Sequence, residues 1–167
     1  ARVLSGLGPI LSNARPDWLL VQGDTVTVAA AAFAAYLARI RVGHVEAGLR
    51  TFDKWKPFPE EICRRIAGVV ADLHFSPTVK ARQNLLNEGV PSERVIVTGN
   101  TVTDALLWVV AQQALNELPL TPALQGALGE AARGRRLLLV TAHRRESFGE
   151  PLRQICGALR TLADNDD

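Results

Sequence analysis

Carboxylates, guanidiniums and a histidine recur in this sequence at the points where short apolar runs give way to loops. Gly43-His44-Val45-Glu46-Ala47-Gly48-Leu49-Arg50 is followed by Pro57-Phe58-Pro59-Glu60-Glu61 and then by Arg64-Arg65. The same kind of polar punctuation stands at Gly23-Asp24-Thr25, at Thr98-Gly99-Asn100-Thr101 and at Thr141-Ala142-His143-Arg144-Arg145-Glu146. Positioned acids beside fixed cations suit proton transfer on an anionic substrate. In an alternating α/β chain such residues fall at the carboxyl ends of parallel strands, where ligands bind.

Each residue also has a plainer reading. Asp24 follows a glycine at a strand exit, where its carboxylate could reach a ligand or cap the next helix. Glu46 closes an apolar strand and precedes Ala47-Gly48; partial desolvation there tunes an acid for proton transfer, although bonding to local backbone N–H groups would also explain it. Glu60 and Glu61 lie at a helix N-terminus, each with an arginine four residues on. Surface ion pairs account for that spacing. Yet Glu60 and Arg64 share one side of the helix, with Glu61 and Arg65 turned about 100° away, so one pair could face a cleft and the other solvent. His143 with Arg144 and Arg145 forms a candidate anion clamp. His44 and His74 fall inside apolar strands and read as core histidines or supports for neighbouring groups. Asn100, in a turn leading into a helix, can cap that helix or bind a phosphate.

The sequence withholds several common signatures. It has no G-x-G-x-x-G fingerprint, no Walker phosphate loop and no G-x-S-x-G elbow, which removes the usual support for nicotinamide dependence, ATP hydrolysis and serine hydrolysis. Nineteen basic and 17 acidic residues leave a net charge of +2 with no basic stripe, so nucleic acid is not an expected partner. No apolar run approaches a membrane span and the N-terminus lacks the regions of a signal peptide. Cys63 and Cys156 have no metal-binding spacing and read as free thiols in a reducing cytoplasm. A length of 167 residues accommodates one domain, or one domain and part of another. The chain opens at Ala1, contains no methionine and ends just after an amphipathic helix, which suggests a piece of a longer polypeptide.

The elements that must position these residues alternate regularly. Strands are expected at 18–21, 42–45, 73–75, 95–97 and 137–140. Helices are expected at 29–40, from Pro59 onward, at 78–87 closed by Gly89, at about 103–116 and at 151–163. In the helix after Pro59, Ile62, Ile66, Val69 and Val70 have core-stripe spacing. In the last, Leu152, Ile155, Cys156, Leu159 and Leu162 form one stripe. Prolines 119 and 122 with Gly126, Gly129 and Gly134 mark a linker or domain boundary. The fold class is α/β, a Rossmann-like parallel sheet with helices on both faces.

Taken in order, the five motifs, with Val102 following Thr101, resemble the non-hydrolysing bacterial UDP-N-acetylglucosamine 2-epimerases over about residues 17–159. The resemblance implies a two-domain GT-B architecture with the active site in the cleft. Residues 1–98 would be the later part of the N-terminal domain, 99–135 a connecting helix and linker, and 136–167 the start of the C-terminal nucleotide-binding domain. It implies interconversion of UDP-N-acetylglucosamine and UDP-N-acetylmannosamine, with UDP as the group eliminated and re-added, and no nicotinamide or metal cofactor. Asp24, Glu46 and Glu60 are then the acid and base candidates, His143 lies beside the diphosphate, and Arg64, Arg144 and Asn100 are substrate contacts. Ser147 stands where the family commonly has asparagine. The family's early arginine-bearing loop and its closing uridine-binding half are not matched, which implies little activity for this piece alone. A cytoplasmic homodimer is expected. A GT-B glycosyltransferase using a UDP-sugar, or a silent nucleotide-sugar-binding fragment, are the alternatives.

Overall fold

The computed structural model describes residues 2–115, 121–131, 138–143 and 147–164, arranged in two compact units, 1–111 and 112–167. The first unit runs α1 (Arg2–Ala14), β1 (Trp18–Gln22), α2 (Val26–Leu37), β2 (Arg41–Val45), α3 (Glu60–Val70), β3 (Leu73–Ser76), α4 (Val79–Asn87) and β4 (Val95–Val97). These strands form one parallel sheet in the order β1-β2-β3-β4. The expected fold class is therefore present, and four of the expected strands lie where the apolar runs placed them. Helix α5 (Thr101–Leu115) follows β4.

The pleat sorts side chains by row. Val21, His44, His74 and Val95 are in register across the four strands and all are buried. Leu20 and Ile96 belong to rows that project from the opposite face and are exposed. Alanine explains how α2 fits: it packs against α1, α3, β1 and β2 at once, and Ala29, Ala32, Ala34 and Ala35 are buried. Small side chains permit that close approach at full helix propensity. Thr25 caps α2 through Val28 N–H and Thr78 caps α4 through Ala81 N–H. Gly48, at φ +87°, lies so close to α4 that a Cβ would stand 2.2 Å from the Ala81 carbonyl oxygen. Helix α1 was not anticipated; Leu11 joins the core cluster from it.

Two expectations fail in informative ways, and the glycine- and proline-marked stretch gains a helix. On α3 the buried side carries Glu61, Cys63, Arg64, Ala67 and Gly68, while Ile62, Ile66 and Val69 are exposed. Small residues pack against α2, and two opposite charges satisfy one another inside, so of the expected stripe only Val70 packs against the core. The glycine- and proline-marked segment includes α6 (Pro122–Ala131), which begins at its proline and contains Gly126 and Gly129. Leu138, Leu139 and Val140 form no strand and are exposed. Among the described residues of 112–167 there is no strand for them to pair with, and an unpaired strand is not stable. In the same unit α7 (Glu150–Asp164) has its expected amphipathic pattern but buries none of its residues.

Candidate functional site

Because the four strands are parallel, their carboxyl ends share one edge. Asp24 follows β1, Glu46 follows β2 directly, and Asn100 follows β4. Gln22, the last residue of β1, donates from Nε2 to Thr101 Oγ1 at 3.1 Å and so draws the start of α5 to that edge. The Asn100 side-chain oxygen accepts Val102 N–H at 3.0 Å, which gives it the capping role.

Asp24 is not a helix cap. Its carboxylate accepts from Arg64 Nη2, across 40 residues of sequence, and the cap of α2 is Thr25. Arg64 turns to Asp24 and to Glu61 at 3.3 Å in place of the expected Glu60, and its Nη1 also donates to the Leu49 carbonyl at 3.5 Å. Glu61 is fully buried, so of the two spaced pairs it is the one turned inward. Glu60 stands beside it with Oε2 buried and without a hydrogen-bond partner. That oxygen has no protein partner to displace, as a group that must reach a substrate requires.

Glu46 sits at φ +66°, a left-handed backbone that side chains other than glycine, asparagine and aspartate rarely adopt. Its Oε2 is 3.6 Å from where a Cβ on Gly23 would stand, so its carboxylate lies against the turn that carries Asp24. That turn is held from below. Gly23 N–H donates to the Val45 carbonyl at 3.0 Å, and the Gly23 carbonyl lies 2.8 Å from His44 Nε2. A carbonyl only accepts, so Nε2 carries the proton and the buried Nδ1, which has no partner, is the bare nitrogen. Burial lowers the His44 pKa, against the opposing pull of the Gly23 bond. His44 is thus a neutral strut for the Asp24 turn, and the reading of it as a supporting residue agrees with this geometry.

Two further groups were less legible. Arg50 has a buried side chain that grips Glu88 at the end of α4 through Nε and Nη2, both at 2.7 Å, which lowers the Glu88 pKa. Cys63 is buried, and burial with the nearby Glu60 and Asp24 carboxylates raises its thiol pKa, which places all three groups in one neighbourhood. His143 is exposed and belongs to the second unit; Arg144, Arg145 and Glu146 lie outside the described residues, so the clamp they were expected to form has no described geometry. Among the described residues no group of three or more His, Cys, Asp or Glu side chains is placed to hold a metal ion.

The chain as a whole is similar to known proteins. The sequence profile described as UDP-N-acetylglucosamine 2-epimerase matches residues 1–167. The UDP-N-acetylglucosamine 2-epimerase of Salmonella typhimurium is 49% identical over 166 residues, covering 97% of this chain and 43% of that protein. That of Escherichia coli K12 is 49% identical over 162 residues, with the same two shares. Among solved structures, UDP-GlcNAc 2-epimerase from Neisseria meningitidis bound to UDP-GlcNAc superposes with a TM-score of 0.82 at 40% identity, over 97% of this chain and 43% of that one. The S. aureus MnaA–UDP structure gives 0.86 at 41% identity, over 99% and 42%. The chain therefore spans less than half the length of these relatives.

Proposed function

The chain belongs to the UDP-N-acetylglucosamine 2-epimerase family, and from that premise we propose that the protein of which it forms part interconverts UDP-N-acetylglucosamine and UDP-N-acetylmannosamine. The C2 proton passes to an enzyme base as the C1–oxygen bond to UDP breaks, giving 2-acetamidoglucal. UDP then adds back at C1 while an enzyme acid protonates C2 from the opposite face. Carbon and oxygen balance, no oxidant is consumed, and no nicotinamide or metal is required.

The observation that carries this reading is the gathering of Asp24, Glu46 and Glu60 around one sheet edge, with Glu60 Oε2 buried and unpaired. A weakly acidic C–H needs a positioned base, and the opposite face needs a positioned acid. The departing diphosphate needs cationic donors, for which His143 and Arg144 are the candidates. Residues 1–98 are assigned to the later part of an N-terminal Rossmann-like domain, 99–135 to a connection, and 136–167 to the start of a nucleotide-binding domain. The exposed Ile62, Ile66 and Val69 on α3 favour a homodimer, which light scattering of the whole protein tests. Two free thiols favour a cytoplasmic setting, and no described helix is long and apolar enough to cross a membrane.

The test is incubation of the whole protein with UDP-N-acetylglucosamine in D₂O without an acceptor. Epimerisation yields the mannosamine sugar nucleotide with deuterium at C2. Transfer or simple binding yields neither, and either outcome would replace this reading. The isolated 167-residue chain is expected to turn over little or nothing, because the nucleotide must be clasped by two domains.

A further inference from the structure

Glu61 has every oxygen lone pair occupied. Oε1 accepts from Phe52 N–H at 3.2 Å and from Arg65 Nε at 3.3 Å; Oε2 accepts from Thr51 N–H at 3.1 Å and from Arg64 Nη1 at 3.3 Å. An ionised carboxylate offers about four acceptor positions. Four donors and complete burial leave none for a substrate, so Glu61 is not itself an acid or base in turnover. Its neighbour Glu60 differs in just this respect, with an unpartnered oxygen.

The donors come from two places that must be kept in fixed relation. Thr51 and Phe52 lie near the middle of the loop that joins β2 to α3, and Phe52 takes φ +64° there. Arg64 is the guanidinium whose far nitrogen holds Asp24. With a side chain 10% exposed, it would have little water to turn to were Glu61 lost. We propose that Glu61 is a positioning residue, which aims Arg64 at Asp24 and clips the middle of the loop to α3, thereby setting the placement of Asp24 and Glu60 at the sheet edge. This rests on the proposed epimerase reading for its kinetic consequence and on geometry alone for its structural one.

Both are measured on the whole protein with Glu61→Gln and Glu61→Asp. The amide of Glu61→Gln turns an N–H₂ group toward two of the four donors, and Glu61→Asp keeps the charge but shortens the reach. Glu61→Gln is expected to lower kcat by about tenfold to a hundredfold, the scale of a misplaced reacting group. Affinity for UDP should stay within about threefold, because the diphosphate contacts are assigned elsewhere. Amide hydrogen exchange in the peptide containing Thr51 and Phe52 should accelerate, and Glu61→Asp should recover part of both effects. Unchanged kcat and unchanged exchange would overturn the proposal, as would slowed turnover with no change in exchange at Thr51 and Phe52. Should Glu61→Gln not fold, Glu61→Asp carries the test by the same two readouts. If the wild-type protein shows no C2 exchange, the epimerase reading fails while the amide measurement still decides whether Glu61 positions the loop.

Discussion

Arg64 binds Asp24 across the top of the first unit, from the middle of α3 to the turn after β1. This contact ties a helix to a strand exit that the sequence separates by 40 residues. The guanidinium simultaneously faces Glu61 and the Leu49 carbonyl, so one planar fork organises three backbone segments.

Arg64→Leu should therefore destabilise the first unit by about 1.5–3 kcal/mol, since it removes one of the four donors to the buried Glu61 carboxylate and releases Asp24, while Thr51, Phe52 and Arg65 still hold Glu61. Arg64→Lys should recover only part of that, because one ammonium cannot span the same acceptors. Urea denaturation of the chain followed by circular dichroism measures both.

Asp24→Asn, Glu46→Gln and Glu60→Gln in the whole protein should each reduce kcat by about a hundredfold or more with a smaller effect on substrate binding. Steady-state kinetics with separately measured binding checks this, and near-normal turnover by the Glu46 variant would remove that carboxylate from the mechanism.

His143→Ala and Arg144→Ala should weaken UDP binding and slow elimination together, leaving a neutral sugar analogue without the diphosphate little affected. Isothermal titration calorimetry with UDP is the deciding measurement. Unchanged affinity in both variants would place the diphosphate contacts elsewhere.

Acid should weaken the fold in two stages. Burial, then the neighbouring His44 and Arg50, push His74 from 6.5 down to about 4. Between those values the unfolded chain binds a proton that the folded chain refuses, so stability falls as pH drops through that window. The bond from Arg50 lowers the Glu88 pKa below its ordinary 4.5, so its contribution is present above about that pH and is lost as pH falls through the lower folded value. Denaturation midpoints across pH 7 to 3 should show a shallower first slope in His74→Leu, the remainder belonging to His44, whose pKa burial also lowers, and should lose the second slope in Glu88→Gln.

The α/β alternation and four strand positions were legible because buried parallel strands are short continuous apolar runs and the turn residues flank them. Glu46 stood out in the sequence as an unusual placement of an acid, whereas Glu60 was separated from Glu61 only by the family resemblance. What periodicity could not show is which face of α3 turns inward. Ile62, Ile66 and Val69 have the spacing of a core stripe, yet burial went to Glu61 and Arg64, whose mutual satisfaction depends on Leu49, Thr51 and Phe52 arriving from another segment. No single-helix pattern contains that information. Leu138 to Val140 mislead for a related reason: strand character is completed by a neighbour, and a run of apolar residues does not say whether one is present.

The left-handed backbone at Glu46 sets folding against chemistry at that one position. An L-residue there carries a local cost of roughly 1 kcal/mol that glycine would not. A search for hardier variants scored by thermal tolerance alone would find little reason to keep an acid after β2, and could discard a reactive group while appearing to improve the protein. Optimisation of this chain therefore has to be scored on turnover as well as on resistance to unfolding.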